Sequence, residues 1–369
     1  MACTQMNCSK NGTTSAADLT DDLIIEILSL LPVKSVCRFK CVSRLWYLLI
    51  SQHRKKLPQT ISGFFYPMHR YNNEDGLIGF PTFDGISGDQ KQLFPDSSLP
   101  FLTGYRQILP KDCCNGLIFC LCWKDSPIDE ADYVVCNPAT EEWVVLPDAG
   151  HKSDALEYRL GFDGAMSPHF HVFQILEGDE DYGYISGVNI YSSETGAWSY
   201  KENGWGDNEI QIVEMRGVFF NGMMHLLTCP LAFIGQSQGR LYFINMRDND
   251  SSKLSVWILE DYNGNEWIFK YNISTSQLFG ELFGEKDHML QRDYADLLFQ
   301  RDYALIAIHP ECNLIFFVWR CEDVLLSYDM DRGKVCVICS LKYHSYDTFP
   351  PYLPYVPCFS RIGRPRVEA

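Results

Sequence analysis

The chain has 369 residues, of which 46% are hydrophobic and 14% aromatic, and its formal net charge is -16. This length and apolar content suffice for a large folded core and exclude a disordered chain. The negative charge argues against nucleic acid as a partner of most of the protein, because a phosphate backbone would be repelled.

The first residues, MACTQMNCSKNGTTSAAD, lack the apolar run of a secretory signal. The fifteen cysteines are therefore expected to be reduced thiols. The longest apolar stretch, Leu23–Val33, contains Glu26 and Pro32 and is shorter than the roughly 18 residues of a membrane span. We expect a soluble protein of the nucleus or cytoplasm that does not contact membranes.

Residues 1–17 are rich in Ser, Thr, Asn and Ala without periodicity, and we expect a disordered leader. Residues 18–58 predict a small domain of three helices. Thr20 is placed to cap the first helix, which Pro32 would end. A second helix fits Val33–Lys40, and a third runs from the predicted cap Ser43 to about Gln52.

This helical segment has more apolar side chains than three short helices can bury among themselves, so some of them are expected to meet a partner. Between Pro32 and Pro58 it also has seven basic residues and no acidic one. A basic segment in an acidic chain indicates an acidic partner. The basic residues are Lys34, Arg38, Lys40, Arg44, Arg54, Lys55 and Lys56.

Residues 59–358 consist of short β-like runs between Gly, Asn, Asp, Ser and Pro, which predicts an all-β domain. Apolar runs near Ile118, Phe173 and Leu226 are each followed 19 residues later by a turn, and a fourth run lies near Ile315. A period near 50 residues is kelch-like and typical of β-propeller blades, so this domain would hold about six. A β-sandwich is the alternative, and it predicts no fixed period.

A propeller closes its ring by pairing strands from the two ends of the domain. The runs SGFFYP (62–67) and YVPCFSR (355–361) are the candidates, and residues 359–369 are expected to form a tail outside the domain. The run EWIFKYNISTSQLF (266–279) is expected to contribute a further blade.

The segment DLTDDLIIEILSLLPVKSVCRFKCVSRLWYLLI resembles an F-box, and CNGLIFC, NPATEEWVVLP, VNIYSSETGAWSY, NGMMHLL, HPECNLIFF and YDMDRGK resemble the F-box-associated region of plant F-box proteins. The resemblance implies an α+β multidomain chain that serves as a substrate receptor of an SCF-type cullin-RING ubiquitin ligase. Its F-box would bind the small acidic adaptor of the S-phase-kinase-associated type and, through it, the cullin. Its β domain would capture a protein substrate.

Carried over position by position, the family motif implies adaptor contacts in the helical segment. Leu19 is followed here by Thr20, where the family usually has Pro, and binding is expected to survive because Thr can cap the helix. Trp46 has a second interpretation, as part of the core of the helical unit. The implied adaptor-binding residues are Leu19, Leu23, Ile27, Leu28, Leu31, Pro32, Val33, Val36, Arg38, Phe39, Val42, Ser43, Trp46, Leu49 and Ile50.

The sequence lacks the zinc-protease, phosphate-loop and nucleophile-elbow motifs of common enzymes. Cys336 and Cys339 have redox-motif spacing but lie in an alternating β run, which favours ordinary strand cysteines. His169 and His171 would share a strand face without an evident third metal ligand. We therefore expect no catalytic residues, metal or cofactor.

Two alternatives to the ligase receptor remain. The first is an enzyme that uses the channel of a propeller, and the second is an adaptor-binding scaffold or decoy without ligase output. The substrate-binding residues are not readable from the sequence. The long predicted loops are around 71–99, 178–187 and 205–212, and their acidity favours a basic patch on the target.

Overall fold

A computed structural model of the chain divides into two compact units, Met1–Pro58 and Gln59–Ala369. No helix among the residues that it describes is long and apolar enough to cross a membrane. The described residues are 20–31, 36, 39, 42–53, 60–72, 76–86, 97–126, 130–150, 155–177, 185–202, 216–227, 232–246, 253–276, 278–279, 303–320, 322–341, 351–358 and 360–363.

The first unit contains helices α1 (Asp21–Ser29) and α2 (Arg44–Gln52). Thr20 is the N-cap residue of α1 as predicted, but its side chain makes no capping hydrogen bond. Ser43 does cap α2, since its hydroxyl accepts a hydrogen bond from the backbone N–H of Trp46 at 3.2 Å.

The predicted second helix, Val33–Lys40, lies mostly outside the described residues. Its described members, Val36 and Phe39, have helical backbone. The structure therefore establishes two of the three expected helices. Pro32, which was expected to end α1, also lies outside the described residues, and α1 ends at Ser29 with Leu30 as its C-cap.

The second unit is all-β, and its described strands form six antiparallel sheets. The first sheet has the order β2-β1-β21, and the next two follow in chain order. The strands of the first sheet are β1 (Gly63–Asn72), β2 (Gly76–Gly85) and β21 (Leu353–Tyr355). Those of the second are β3 (Tyr105–Cys114), β4 (Leu117–Lys124), β5 (Ala131–Asn137) and β6 (Glu142–Val145). Those of the third are β7 (Ala155–Gly161), β8 (His171–Glu177), β9 (Ile185–Ser192) and β10 (Ala197–Glu202).

The fourth sheet has two described strands, and the fifth and sixth have four each. The fourth consists of β11 (Arg216–Phe220) and β12 (Met223–Leu227). The fifth consists of β13 (Ala232–Ser237), β14 (Arg240–Asn245), β15 (Lys253–Asp261) and β16 (Glu266–Ser274). The sixth consists of β17 (Tyr303–Ile308), β18 (Leu314–Trp319), β19 (Val324–Asp329) and β20 (Lys334–Ser340).

Contacts between successive sheets close a ring. The edge strands β21, β3, β7, β11, β13 and β17 contact one another in that order, and β17 contacts β21 again. This succession is that of a β-propeller. Five sheets have three or four strands, but the β11–β12 sheet has two among the described residues, so the expected number of about six full blades is not established.

The ring closes where β1 pairs with β21, with Gly63 opposite Tyr355. The SGFFYP run was therefore predicted correctly. Its predicted partner was residues 355–361, whereas the observed partner strand is Leu353–Tyr355. The chain leaves the sheet after Tyr355, and the Asn137 side-chain amide there donates hydrogen bonds to the carbonyl oxygens of Cys358 and Ser360, at 2.6 and 2.9 Å.

One further expectation differs from the structure. Residues 360–363, expected in a tail outside the domain, contact it, and Ile362 is buried in the apolar core between the second and third sheets. The EWIFKYNIS run, expected to contribute a further blade, is the outer strand β16 of the fifth sheet, which lies in sequence between the sheets of the third and fourth copies. A separate apolar core fills the space between the fifth and sixth sheets.

Candidate functional site

The helical unit has a small apolar core that fixes its two described helices. Three half-buried side chains, Leu31, Phe39 and Trp46, pack against it. The Phe39 and Trp46 ring centroids lie 5.2 Å apart. Trp46 thus belongs to the packing of the unit, as its second interpretation proposed. The buried core residues are Ile24, Ile25, Leu28, Val36, Leu49 and Ile50.

Helix α1 also has apolar side chains outside this core. Leu23 is 46% exposed, Ile27 47% and Leu30 82%. Their spacing of four and three residues places them along one side of the helix, and the buried Ile24, Ile25 and Leu28 occupy another. Helix α1 is therefore apolar on two sides, although the core of the unit uses one.

The same pattern occurs at α2. Val42, just before its N-cap, is 60% exposed, Leu45 53% and Leu48 43%. We call Leu23, Ile27, Leu30, Val42, Leu45 and Leu48 the exposed apolar set. Large aliphatic side chains at this density on two short helices are typical of surfaces that contact another protein.

The structure distributes the predicted adaptor-binding residues over the unit. Leu23, Ile27, Val42 and Ser43 are exposed, and Leu31, Phe39 and Trp46 are half-buried. Leu28, Val36, Leu49 and Ile50 are buried in the core, where they support the helices rather than face outward. Leu19, Pro32, Val33 and Arg38 lie outside the described residues.

Sequence reasoning missed Leu30, Leu45 and Leu48. The family motif did not mark them, but helical periodicity was a usable signal, because Leu30 continues the Leu23 and Ile27 spacing and Leu48 lies one turn after Leu45. Of the predicted basic segment, Arg44 is described and is exposed. Its other six residues lie outside the described part of the chain.

The β domain has cysteine and histidine side chains at the positions where the sequence suggested reactive groups. Among the described residues, no group of three or more His, Cys, Asp or Glu side chains is arranged to hold a metal ion. Cys336 and Cys339 lie in strand β20, as their alternating context predicted. His171 packs near Phe219, with ring centroids 6.5 Å apart, and burial lowers the pKa of its imidazole.

In two copies of the repeat a Trp follows a Thr by three residues, Trp143 after Thr140 and Trp198 after Thr195, and both tryptophans are packing residues. Trp143 packs against the core that contains the ring-closing strand, and its ring centroid lies 6.2 Å from that of Tyr105. Trp198 packs against the core between the second and third sheets, and its Nε1 donates a hydrogen bond to the Pro147 carbonyl at 2.9 Å. Both tryptophans therefore pack the blades.

Comparison with known families places both units. Residues 17–58 match the F-box domain, and residues 105–246 match the F-box associated beta propeller domain. F-box protein At5g07610 of Arabidopsis thaliana is 28% identical over 342 residues, covering 78% of each chain. The F-box/kelch-repeat protein At4g19930 of the same organism is 24% identical and covers 68% of each chain.

Among solved structures, a chain of a Nidogen/Laminin complex covers 74% of this chain and 91% of its own length at 7% identity, with a TM-score of 0.28. That likeness carries no argument. The two domain matches and the relatives define the chain as an F-box domain followed by an all-β propeller domain. It belongs to the plant F-box proteins. An F-box implies binding of an SCF adaptor and, through it, a cullin.

Proposed function

We propose that this protein is the substrate-recognition subunit of an SCF-type cullin-RING ubiquitin ligase. The exposed apolar set on α1 and α2 is the observation that carries the proposal. Burying a half-exposed Leu or Ile would contribute roughly 1 kcal/mol per side chain, so six of them supply a substantial part of the adaptor affinity. The predicted basic segment would add electrostatic steering toward an acidic adaptor.

The proposed mechanism is proximity, and the subunit itself is non-catalytic. The F-box unit holds the adaptor and cullin, while the propeller binds a protein substrate. Holding the substrate near a charged ubiquitin-conjugating enzyme replaces a bimolecular encounter by a local one. Ubiquitination and proteasomal degradation of the substrate follow.

The propeller in this proposal has six blade positions. The β11–β12 sheet takes one of them, because β11 contacts β7 of the preceding sheet and β13 of the following one. Nucleus and cytoplasm, where this ligase would operate, are the proposed locations, which a fluorescent fusion in plant cells would test.

The adaptor contact is tested by titrating the purified chain with a plant adaptor in a calorimeter. A Leu30→Asp, Val42→Asp double variant changes side chains that are 82% and 60% exposed, so the fold should be preserved. We expect at least a tenfold loss of affinity. Val337→Asp, on the exposed outer strand β20 at 55% exposure, is the matched control and should bind as the unchanged protein does.

Adaptor affinity within twofold of the unchanged chain in the double variant, with unchanged circular dichroism, would contradict the proposal. Reconstitution with cullin, RING subunit and conjugating enzymes then separates a ligase receptor from a scaffold or decoy. Ubiquitin transfer to a bound protein is expected for the receptor. Stable assembly without transfer would indicate the decoy.

A further inference from the structure

The two-stranded β11–β12 sheet lies between two four-stranded sheets. Among the described residues, no strand pairs with β12 on the side away from β11. Strands in a sheet are about 4.8 Å apart. If the sheet had a third and a fourth strand beside β12, they would therefore lie between β9–β10 of the preceding sheet and β15–β16 of the following sheet.

The neighbour on the β7–β10 side presents a groove at these positions. The groove has a volume of about 580 Å³ and lies between β8–β10 and β11–β12. Its apolar lining includes Phe173, Val188, Ile190, Phe219, Met224 and Leu226. Val188 and Ile190 are only half-buried, although their strand is internal to its sheet.

The neighbour on the β13–β16 side presents aromatic side chains. Trp267 and Phe269 on β16 are 38% and 47% exposed. They pack on Phe243 and Trp257, with ring centroids 6.1 and 5.2 Å apart. The opposite face of the sheet is buried against β17–β20 through residues such as Val256, so the aromatic face lies on the side of β11–β12.

A contact between turn and strand ties the aromatic face to β12. Tyr262, in the β15–β16 turn, lies with its hydroxyl 3.0 Å from Nε2 of His225 on β12. The exposed carboxylates Glu260, Asp261 and Glu266 surround this turn, and Arg240 pairs with Glu260 at 3.3 Å. This end of the site is therefore acidic, in a chain of net charge -16.

We propose that the outer edge of β12 binds an extended segment of a protein substrate as an added third strand. This inference rests on the proposed role as a substrate receptor. Successive side chains of a strand point to opposite faces, so one set would enter the groove beside Ile190 and the other would contact Phe269. The segment therefore has about four consecutive bulky apolar residues, and a Lys or Arg at the end that meets the Tyr262 turn.

Addition of a strand to an open sheet edge combines main-chain hydrogen bonds with side-chain pockets. Its affinity therefore depends on the peptide N–H groups as well as on the two apolar walls. This dependence distinguishes it from nonspecific adhesion to exposed aromatic residues.

The test uses the full chain and an array of eight-residue peptides. Each peptide has four central positions varied among Val, Ile, Phe, Tyr and Trp and an Arg at one terminus. We expect a subset to bind, with at least tenfold weaker binding to Ile190→Glu and to Phe269→Ser. Val337→Ser, also on an outer strand, should bind as the unchanged chain does.

Two controls complete the design. Alternate N-methylation of a binding peptide should weaken it at least tenfold, and Glu266→Lys should weaken Arg-terminated peptides most. Absence of binding peptides, or equal binding to the variants or to the methylated form, would overturn the proposal.

Other occupants of the edge would also overturn it. A dimer in sedimentation that Phe269→Ser dissociates would identify a second copy. Peptide binding that appears only after deletion of residues 203–215 would identify a segment of the chain itself. Adaptor affinity measured on the same samples keeps this test separate from the proposed ligase role, because neither β-domain variant changes the F-box unit.

Discussion

Asn137 donates hydrogen bonds from its side-chain amide to the carbonyl oxygens of Cys358, at 2.6 Å, and Ser360, at 2.9 Å. The Asn137 side chain is fully buried, and its Oδ1 accepts a hydrogen bond from the Ala139 N–H. A single turn of the second sheet therefore holds the chain that follows the ring-closing strand.

Replacing Asn137 by Ala should destabilise the propeller by roughly 2 kcal/mol, because buried carbonyl oxygens lose their donors. Asn137→Asp should cost more, since a carboxylate would face two carbonyl oxygens. Urea unfolding followed by tryptophan fluorescence measures both. Asn263→Ala, in an exposed turn, is the control, and equal stability of all three variants would rule out the anchoring role.

Asp112 links two strands that belong to neighbouring sheets. It lies on β3 and accepts hydrogen bonds from the backbone N–H of Cys113 and, at 2.7 Å, from that of Leu160 on β7. Loss of solvent on burial raises the pKa of its carboxyl from 3.8 to about 6, although the nearby Arg159 guanidinium opposes the shift.

The raised pKa of Asp112 predicts how stability depends on pH. The folded state retains the proton longer than the unfolded state, so the cost of ionisation is absent below about pH 4 and complete above about pH 6. As the pH rises between these values, the free energy of unfolding of the unchanged protein should fall by roughly 1–3 kcal/mol relative to that of Asp112→Asn. Chemical denaturation across this range measures the difference, and parallel curves for the two proteins would refute the prediction.

Trp198 combines ring packing with a hydrogen bond. Its ring centroid lies 5.4 Å from that of Tyr191, and its Nε1 bonds to the Pro147 carbonyl. Trp198→Phe should keep the packing and lower the free energy of unfolding by about 1 kcal/mol, whereas Trp198→Ala should lower it by about 3 kcal/mol. Thermal unfolding should rank them in this order; equal costs would show that the hydrogen bond dominates.

Asp331 connects the fifth and sixth sheets through its carboxylate. The Tyr271 hydroxyl donates to it at 2.6 Å and the Asn313 amide at 3.0 Å, and these bonds lower the pKa of the carboxyl below 3.8. In Tyr271→Phe the pKa of Asp331 should rise toward its ordinary value, as a carboxyl-labelled NMR titration would show.

Because the Tyr271 hydrogen bond lowers the pKa of the Asp331 carboxyl, it stabilises the folded state when that carboxyl is ionised. This stabilisation is present above pH 3.8 and is lost as the pH falls through the lower pKa that Asp331 has in the folded state. The stability difference between Tyr271→Phe and the unchanged chain should therefore shrink in acid. An undiminished difference at pH 2 would mean that the ring hydroxyl acts by packing alone.

Much of the propeller could be predicted from the sequence, because its strands are short apolar runs and the turns between them are rich in Gly, Asn, Asp, Ser and Pro. The runs near Ile118, Phe173, Leu226 and Ile315 are strands β4, β8, β12 and β18, each the second strand of its sheet. In β4, β8 and β18, apolar side chains buried on both faces of an inner strand produce this continuous pattern, whereas β12 has the pattern without being buried.

The third copy of the repeat shows where the spacing misleads. In the first two copies, 19 residues lead from the second strand to the turn before the fourth strand of one sheet. In the third, the same distance leads from β12 to the end of β14, which belongs to the next sheet. The spacing cannot reveal a sheet with two described strands, because the following sheet supplies a similar turn.

Only part of the helical site could be predicted, because spacing was again an incomplete signal. The family motif combines residues that build the unit with residues that face outward, and spacing alone does not separate Leu28, fully buried, from Ile27, 47% exposed. Only tertiary packing decides which side of α1 the core uses. Thr20 shows the same limit, because a suitable residue at the cap position need not form the bond.

The ring-closing pair joins β1 to β21, a strand of three residues that follows every other described strand in the chain. A ribosome making this protein would release nearly the whole propeller as an open arc before Leu353 emerged, because chains grow from the amino terminus. A message cut short upstream of that residue would yield a product with an unpaired β1 edge. Cells should remove such a product, so a nonsense mutation just before the Leu353 codon is expected to be as damaging as one at the start of the propeller.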